Sequence, residues 1–535
     1  MVVAPQPWAA EEALKALRRG GNAVDAVVVG AFTQGTVDPP MCGIGGVGTM
    51  TIYEAASGRV RVLDFYGRAG ARATPAMWAP LFLKEAQDKY GYLVQGDVNE
   101  IGHASVATPG EVRGLADALT TCGTWTFRDA IRQCIKYAQA GFRVPAYLRA
   151  SWDMPVGEAG ITPLRRLTAT PRCAEIYARN GRLLEIGEML FQDEMARTLA
   201  RIFTEGPEDF YEGKIAEAIA GDLESHGGHV TLDDLKKYRT VEAEPVIGSY
   251  RGYTIASSPP PGGGVCLVEM LHILEGFDLA GMGYLTPEYI ETLAETMRWA
   301  FEDRARYLGD PAFVEVPVAR LTSPEHAAEI RRRIQAGERP AAPAAAAPDA
   351  ASTTAISVVD EAGNCVTMTH TLGSGSGVVT PGLGFQYNNY MNCFDPRPGR
   401  ANAIAPGKSR ITMMSSTVVL KASRPVMVVS APGGTRIVNA VLQTLLNLID
   451  HGMSPADAVA APRVDFQGEV LEAEARVPQE TLVAVERLGY RVNRRAHNYD
   501  GYFARPQLIV LDPETGILRG ASDPRKDGGV ALALE

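Results

Sequence analysis

Residues 337–352, Gly-Glu-Arg-Pro-Ala-Ala-Pro-Ala-Ala-Ala-Ala-Pro-Asp-Ala-Ala-Ser, divide this chain into two unlike parts. A tract of alanine and proline cannot bury enough apolar surface to offset the entropy of ordering it, so a mobile seam is predicted here. Immediately after it, Thr353-Thr354-Ala355-Ile356-Ser357-Val358-Val359-Asp360 alternates like a strand. A threonine at such a junction can become a new chain terminus. Its hydroxyl is a poor nucleophile until a base sits beside it, and one cut supplies that base as the α-amine of the same residue. An α-amine titrates near ~8 and is partly neutral at physiological pH, so it can take the hydroxyl proton and return it to a leaving group. The same run also reads as a strand that merely opens after a linker, and other segments must decide.

The 535 residues are 46% hydrophobic and 21% charged, enough for a large core and incompatible with bulk disorder. The formal charge of -10 is spread without a basic block, which excludes an evident nucleic-acid surface or basic membrane patch. Seven cysteines are scattered with no C-x-x-C pair, so free, mostly buried thiols are expected. The opening Met-Val-Val-Ala-Pro-Gln-Pro-Trp lacks a basic n-region and an apolar h-region, which predicts a cytoplasmic protein. Residues 23–32 are apolar but interrupted by Asp25 and too short to span a bilayer, and they read as a buried helix.

Periodicity predicts two helical pieces over 8–33, parted by Gly20-Gly21-Asn22, and a hairpin from 49–53 and 60–65. Helical patterning dominates 110–310, with good examples at 127–141 and 192–203, an N-cap at Thr231, and a strand over 250–256 before the breaker Pro259-Pro260-Pro261-Gly262-Gly263-Gly264. A helix through Leu271 should follow. Beyond the seam, strands are expected at 355–359, 365–372, 417–421, 426–430 and 507–511, with one strong helix at 437–449.

Gly43-Ile44-Gly45-Gly46-Val47-Gly48 fits G-x-G-x-x-G, but a strand rather than a helix follows it, so a tight turn is expected instead of a dinucleotide site. His226 and His229 lie in a glycine loop with no third ligand at metal spacing, which predicts a surface loop. Ser430-Ala431-Pro432-Gly433-Gly434-Thr435 is more informative, because a strand runs into it and a helix runs out. Backbone N–H groups exposed at such a turn can stabilise the oxyanion of an acyl-transfer intermediate, although most Pro-Gly-Gly turns are only turns. Thr371, on the strand after Thr353, is a candidate hydroxyl partner.

These residues resemble the γ-glutamyltransferase family of N-terminal nucleophile hydrolases. The resemblance covers nearly the whole chain: Arg19 to Ala26, Gly43 to Gly46, Thr108 to Val112, Ala140 to Phe142, Phe210 to Ala216, Tyr250 to Tyr253, Pro259 to Pro261, Thr353 to Asp360, Asn402 to Lys408, Ala431 to Arg436, and Asp523-Pro524-Arg525. It implies an αββα sandwich, two stacked antiparallel sheets between helical layers. It implies self-cleavage before Thr353 into a heavy subunit, 1–352, and a light subunit, 353–535, which together form one domain. By the same resemblance Thr353 is the nucleophile, Thr371 its hydrogen-bonding partner, and Gly433 and Gly434 the oxyanion glycines. Neither a metal nor an organic cofactor is implied.

The substrate pocket departs from the family pattern. Tyr66 stands where a carboxylate-binding arginine is usual, with Arg68 two residues on. Tyr390 and Cys393 replace the glutamine and aspartate that hold an α-amine, Thr412 and Met413 replace a serine pair, and Gly373 replaces an asparagine. Ordinary γ-glutamyl recognition should be weak with those partners gone. The stretch between Cys393 and Asn402 is short for a lid loop, which favours an open cleft. The expected activity is cleavage of a γ-glutamyl-type amide, as in glutathione metabolism, through an acyl-enzyme resolved by water or an amine. The alternatives are a cephalosporin-acylase-like amidase acting on a non-glutamyl acyl amide, and an unprocessed binding protein on the same fold.

Overall fold

A computed structural model describes residues 1–39, 41–85, 91–152, 159–340, 352–526 and 529–533. The predicted mobile seam at 337–352 falls mostly on residues 341–351, outside the described residues. The elements that build the core are, in chain order, β1 (Val2–Ala4), α1 (Pro7–Arg18), α2 (Ala23–Val37), β2 (Val47–Glu54), β3 (Arg59–Phe65), α3 (Glu111–Cys122), α4 (Phe127–Ala140) and α5 (Asp193–Glu205). Next come β4 (Val241–Ala243), β5 (Val246–Tyr250), β6 (Tyr253–Ser257), α6 (Gly264–Leu274), α7 (Pro287–Tyr307) and α8 (Pro324–Gln335). After the seam follow β7 (Ser352–Val359), β8 (Cys365–Gly373), β9 (Thr417–Lys421), β10 (Arg424–Ser430), α9 (Ile437–Ile449), β11 (Gln507–Leu511), β12 (Leu518–Ser522) and β13 (Val530–Leu532).

Two antiparallel sheets stack face to face. The first runs β4-β3-β2-β8-β7-β1-β13 and the second β5-β6-β9-β10-β11-β12. Alternation along β7 shows how the layers arise: Ile356 and Val358 pack with α1 to α5 on one side, while Val359 meets Val418, Val428 and Ile509 of the second sheet on the other. The second sheet turns Ile255, Val419 and Val429 toward α6, α7 and α9. The result is the expected four-layer αββα sandwich.

Local chemistry explains the boundaries. Asn22 caps α2, accepting from Val24 and Asp25 N–H while Asp25 accepts from Asn22 N–H at 2.7 Å, and Gly20 at φ +85° ends the preceding helical run. The Thr231 N-cap is present, with Asp234 completing a capping box. The predicted strand at 250–256 is present over Tyr253–Ser257, but it begins later than expected: β5 ends at Tyr250, and Arg251 and Gly252, both at positive φ, reverse the chain into β6. His226 is exposed as expected, whereas His229 is half-buried with its ring 6.2 Å from that of Trp78. The structure also brings His103 onto His226, rings 4.5 Å apart, with Asp222 alongside, a grouping invisible to local spacing. All seven cysteines are free thiols, and six are buried. Among the described residues no helix is long and apolar enough to cross a membrane.

The helices behind the second sheet are tied by a buried ionic cluster. His326 Nε2 lies 2.9 Å from Asp303 Oδ2 and 3.1 Å from Glu269 Oε1, joining α8, α7 and α6. Bonds to Asp303 and Glu269 hold the imidazole up at about 9, and burial pushes the Glu269 carboxyl up to about 8. Both folded values exceed the unfolded ones. The stabilisation from charged His326 is therefore complete below its ordinary 6.5 and is lost as pH rises through about 9, and the neutral form of Glu269 is lost in the same direction. We expect the thermal midpoint to fall between about pH 7 and pH 9.5. The slope should flatten in His326→Gln when melting is followed by circular dichroism across that range.

Candidate active site

Thr353 sits at the start of β7, and the ladder with β8 slips there: Ser352 pairs with Gly373 and Thr354 with His370, so Thr353 stands opposite two residues, Thr371 and Leu372, and the extra residue of the β-bulge is on β8. Bulges release one residue from the ladder and re-aim its side chain. Thr354 turns toward the helical layer, where its hydroxyl meets Gln6 Nε2 at 2.9 Å and Gln34 Nε2 at 3.2 Å. The same layer holds His370 of β8 between Glu111, at 2.6 Å, and Gln34, at 2.9 Å. Thr353 Oγ1 lies 3.1 Å from Thr371 Oγ1, and Gly373 N–H donates to Thr371 Oγ1 at 2.8 Å. Both threonines are buried.

The glycine turn closes over this pair. β10 leads through Ala431 and Pro432 to Gly433, at φ +145°, and Gly434, at φ +63°, and α9 begins at Ile437. A Cβ on Gly433 would stand 2.4 Å from Ala504 Cβ, so glycine is required there on space as well as conformation. Gly434, Thr435 and Ile437 line one small cavity with Thr353 and Thr371. The turn therefore presents the N-terminal end of α9 to the threonine hydroxyls, the polarity that favours developing negative charge.

Cys393, Thr412 and Met413 line this cavity as expected, but other expected pocket residues do not. Tyr66 and Arg68 face a separate cavity of about 620 Å³, lined also by Tyr238, Phe313 and Pro259 to Pro261. Arg68 pairs with Asp64 at 3.6 Å and Asp310 at 3.8 Å and donates to Ser409 Oγ, so its charge is consumed locally. Tyr390 is fully buried, its ring 6.5 Å from that of Tyr66 and nearly parallel to it, with the Arg410 guanidinium 3.8 Å from its centroid. Gly373, at φ +73°, holds Thr371 through its N–H, and any Cβ there would collide with Asn389 Oδ1 at 2.2 Å. The connection after Cys393 folds back tightly, with Asn402 Nδ2 bonded to Cys393 O at 2.6 Å and Asp395 gripping Arg397 at 2.7 Å.

Arg304 and Arg410 also line the Thr353 cavity, and both were missed at the level of sequence. A signal for Arg304 existed. It continues the inward series Ile290, Leu293, Met297, Ala300 and Phe301 on α7, an arginine where helical spacing demands an apolar residue. Arg410 lies in an irregular segment, where no periodicity could reveal its burial.

The gamma-glutamyltranspeptidase family model matches residues 9–533. The chain belongs to this family. The acylase ACY 1 proenzyme of Pseudomonas sp. strain SE83 is 37% identical over 536 residues, covering 99% of this chain and 92% of the relative. The glutathione hydrolase proenzyme of Escherichia coli K12 is 34% identical, covering 98% and 90% respectively. Among solved structures, the cephalosporin acylase from Bacillus halodurans superposes with a TM-score of 0.88 at 29% identity, covering 100% of this chain and 95% of that one. The chain is thus a hydrolase or transferase of the gamma-glutamyltranspeptidase family with the N-terminal nucleophile hydrolase fold.

Because Gly433 abuts Ala504, Gly433→Ala should cost about 1–3 kcal/mol in urea unfolding. Adding Ala504→Gly should recover part of that loss, since it removes the atom that the new methyl would strike.

Proposed function

We propose that the chain cleaves itself between Ser352 and Thr353 and then acts as an amidohydrolase, with Thr353 as nucleophile. The observation that carries this reading is Thr353 facing the β8 bulge, its hydroxyl 3.1 Å from that of Thr371 in a cavity bounded by the Gly434 turn. In processing, Thr353 Oγ attacks the Ser352 carbonyl carbon, the Thr353 nitrogen leaves as a free amine, and water hydrolyses the resulting ester. A heavy fragment, 1–352, and a light fragment, 353–535, remain associated. In turnover, the freed α-amine takes the hydroxyl proton as Oγ attacks the substrate amide and passes it to the departing amine. Thr371 orients the nucleophile, and the N–H groups of Gly433 and Gly434 hold the oxyanion. Water, or an acceptor amine, then resolves the acyl-enzyme.

Two substrate readings divide the family, and the relatives' names, acylase and glutathione hydrolase, fall on both sides. We favour a non-glutamyl acyl amide. The residues lining the Thr353 cavity include no carboxylate to receive the α-ammonium of a γ-glutamyl group, and Cys393 occupies the position expected to supply one. The γ-glutamyl amide, glutathione included, is the second reading, supported by the relatives that carry that name.

Thr353→Val should abolish both processing and turnover of acyl p-nitroanilides, by at least about a thousandfold. Thr353→Ser should retain a measurable part of each. Mass spectrometry of enzyme quenched during turnover should place the acyl adduct on the light fragment. Undiminished turnover in Thr353→Val would defeat the proposal.

A further inference from the structure

The glycine loop after the helix Lys214–Ser225 gathers more than its sequence spacing shows. Asp222 and His226 stand four residues apart at the end of that helix, hence on one face of it, and the short turn His103–Ser105 lays His103 beside them with its ring 4.5 Å from that of His226. One ligating atom from each of the three lies within 4.8 Å of the other two. His226 Nδ1 is 3.1 Å from Asp222 Oδ1, and His103 Nε2 is 3.7 Å from Asp222 Oδ2. The second gap is too wide for a hydrogen bond. A zinc ion holding nitrogen and oxygen at about 2.0–2.1 Å sets its tetrahedral ligands about 3.3–3.4 Å apart, between the two separations found here. Two imidazolium rings stacked this closely would repel each other, so the pair favours a neutral ring with a free lone pair.

We propose that His103, Asp222 and His226 bind a transition-metal ion of the zinc class, with water completing the coordination on the open side of His226. Two imidazoles and one carboxylate suit zinc, nickel or copper, whereas magnesium and calcium take oxygen ligands. The carboxylate is braced from behind, as ligating carboxylates are: Thr380 Oγ1 donates to Asp222 Oδ2 at 2.6 Å, and Tyr387 Oη lies 2.7 Å from the same hydroxyl. His226 is exposed, so its ring is free to turn its bare nitrogen toward the ion, and the ion has a path in from solvent. The other histidine–carboxylate group, Glu269, Asp303 and His326, is already closed by its own ion pairs, which hold its imidazole charged. The three ligands precede the seam and Thr380 follows it, so the bound ion stiffens a contact between the two parts of the chain. None of the three lines the Thr353 cavity, and the ion's role is structural.

Untagged protein, stripped with EDTA and titrated calorimetrically, should bind one equivalent of Zn2+ in the micromolar range or tighter and should not bind Mg2+. His103→Ala and His226→Gln should each weaken Zn2+ at least about tenfold, while His497→Ala, which alters an exposed histidine elsewhere, leaves binding unchanged. With free Zn2+ at a hundred times the wild-type Kd, the melting temperature should rise by about 2–3 °C in the wild type and by about half of that or less in the two variants. Circular dichroism of the metal-free variants identifies any that misfold. Wild-type protein carrying one equivalent of Cu2+ supplies a reading that needs no variant: its electron paramagnetic resonance spectrum should show nitrogen couplings from two imidazoles, reduced to one in His226→Gln. No saturable Zn2+ binding by the wild type, binding that survives His103→Ala and His226→Gln combined, or a copper spectrum with fewer than two imidazole nitrogens overturns the assignment.

Discussion

The pairing of β7 with its neighbours is the constraint on which the rest of the molecule depends. β7 lies in the first sheet with β1 on one side and β8 on the other, so the strand that begins at the seam is locked between a strand from the start of the chain and the strand that follows it. Its even residues Ile356 and Val358 anchor the helical layer and Val359 anchors the second sheet. A strand fixed on both edges and both faces cannot adjust, and Thr353, facing the bulge of β8, is therefore held in place. The position of Thr353, the proposed nucleophile, follows from the core rather than from a flexible loop.

The same topology determines what a cut before Thr353 can do. The first sheet interleaves strands from before the seam, β1 to β4, with β7, β8 and β13 from after it, and the second joins β5 and β6 to β9 through β12. Neither part owns a complete sheet. Cleavage at the seam leaves two fragments whose cores are shared, so a new terminus forms without loosening the site.

Much of this architecture was legible in the sequence, because strong periodicity and capping chemistry act locally. The helix at 437–449, the β2–β3 hairpin, the Thr231 cap and the strand–Gly-Gly–helix turn all rest on residues within one or two turns of each other. The pairing of Thr353 with Thr371 was also readable, since the two strands are consecutive. What local pattern could not show was which distant side chains converge. Counting along the chain placed Tyr66, Arg68 and Tyr390 in the pocket, whereas Arg68 pairs with Asp64 and Asp310 and none of the three lines the Thr353 cavity. Arg304, more than a hundred residues from Met413 in sequence, enters instead. The hairpin turn at Arg251 was missed although Gly252 is a turn signal in the sequence, because the β-branched and aromatic residues around it dominate the pattern.

The central claim is that the Thr353 hydroxyl at the seam makes its own base by breaking the bond before it. Terminal sequencing of the light fragment purified from freshly expressed protein tests this most directly. The account predicts a fragment whose first residues are Thr353-Thr354-Ala355-Ile356. A chain that stays whole, or a fragment that begins at any other residue, would contradict it.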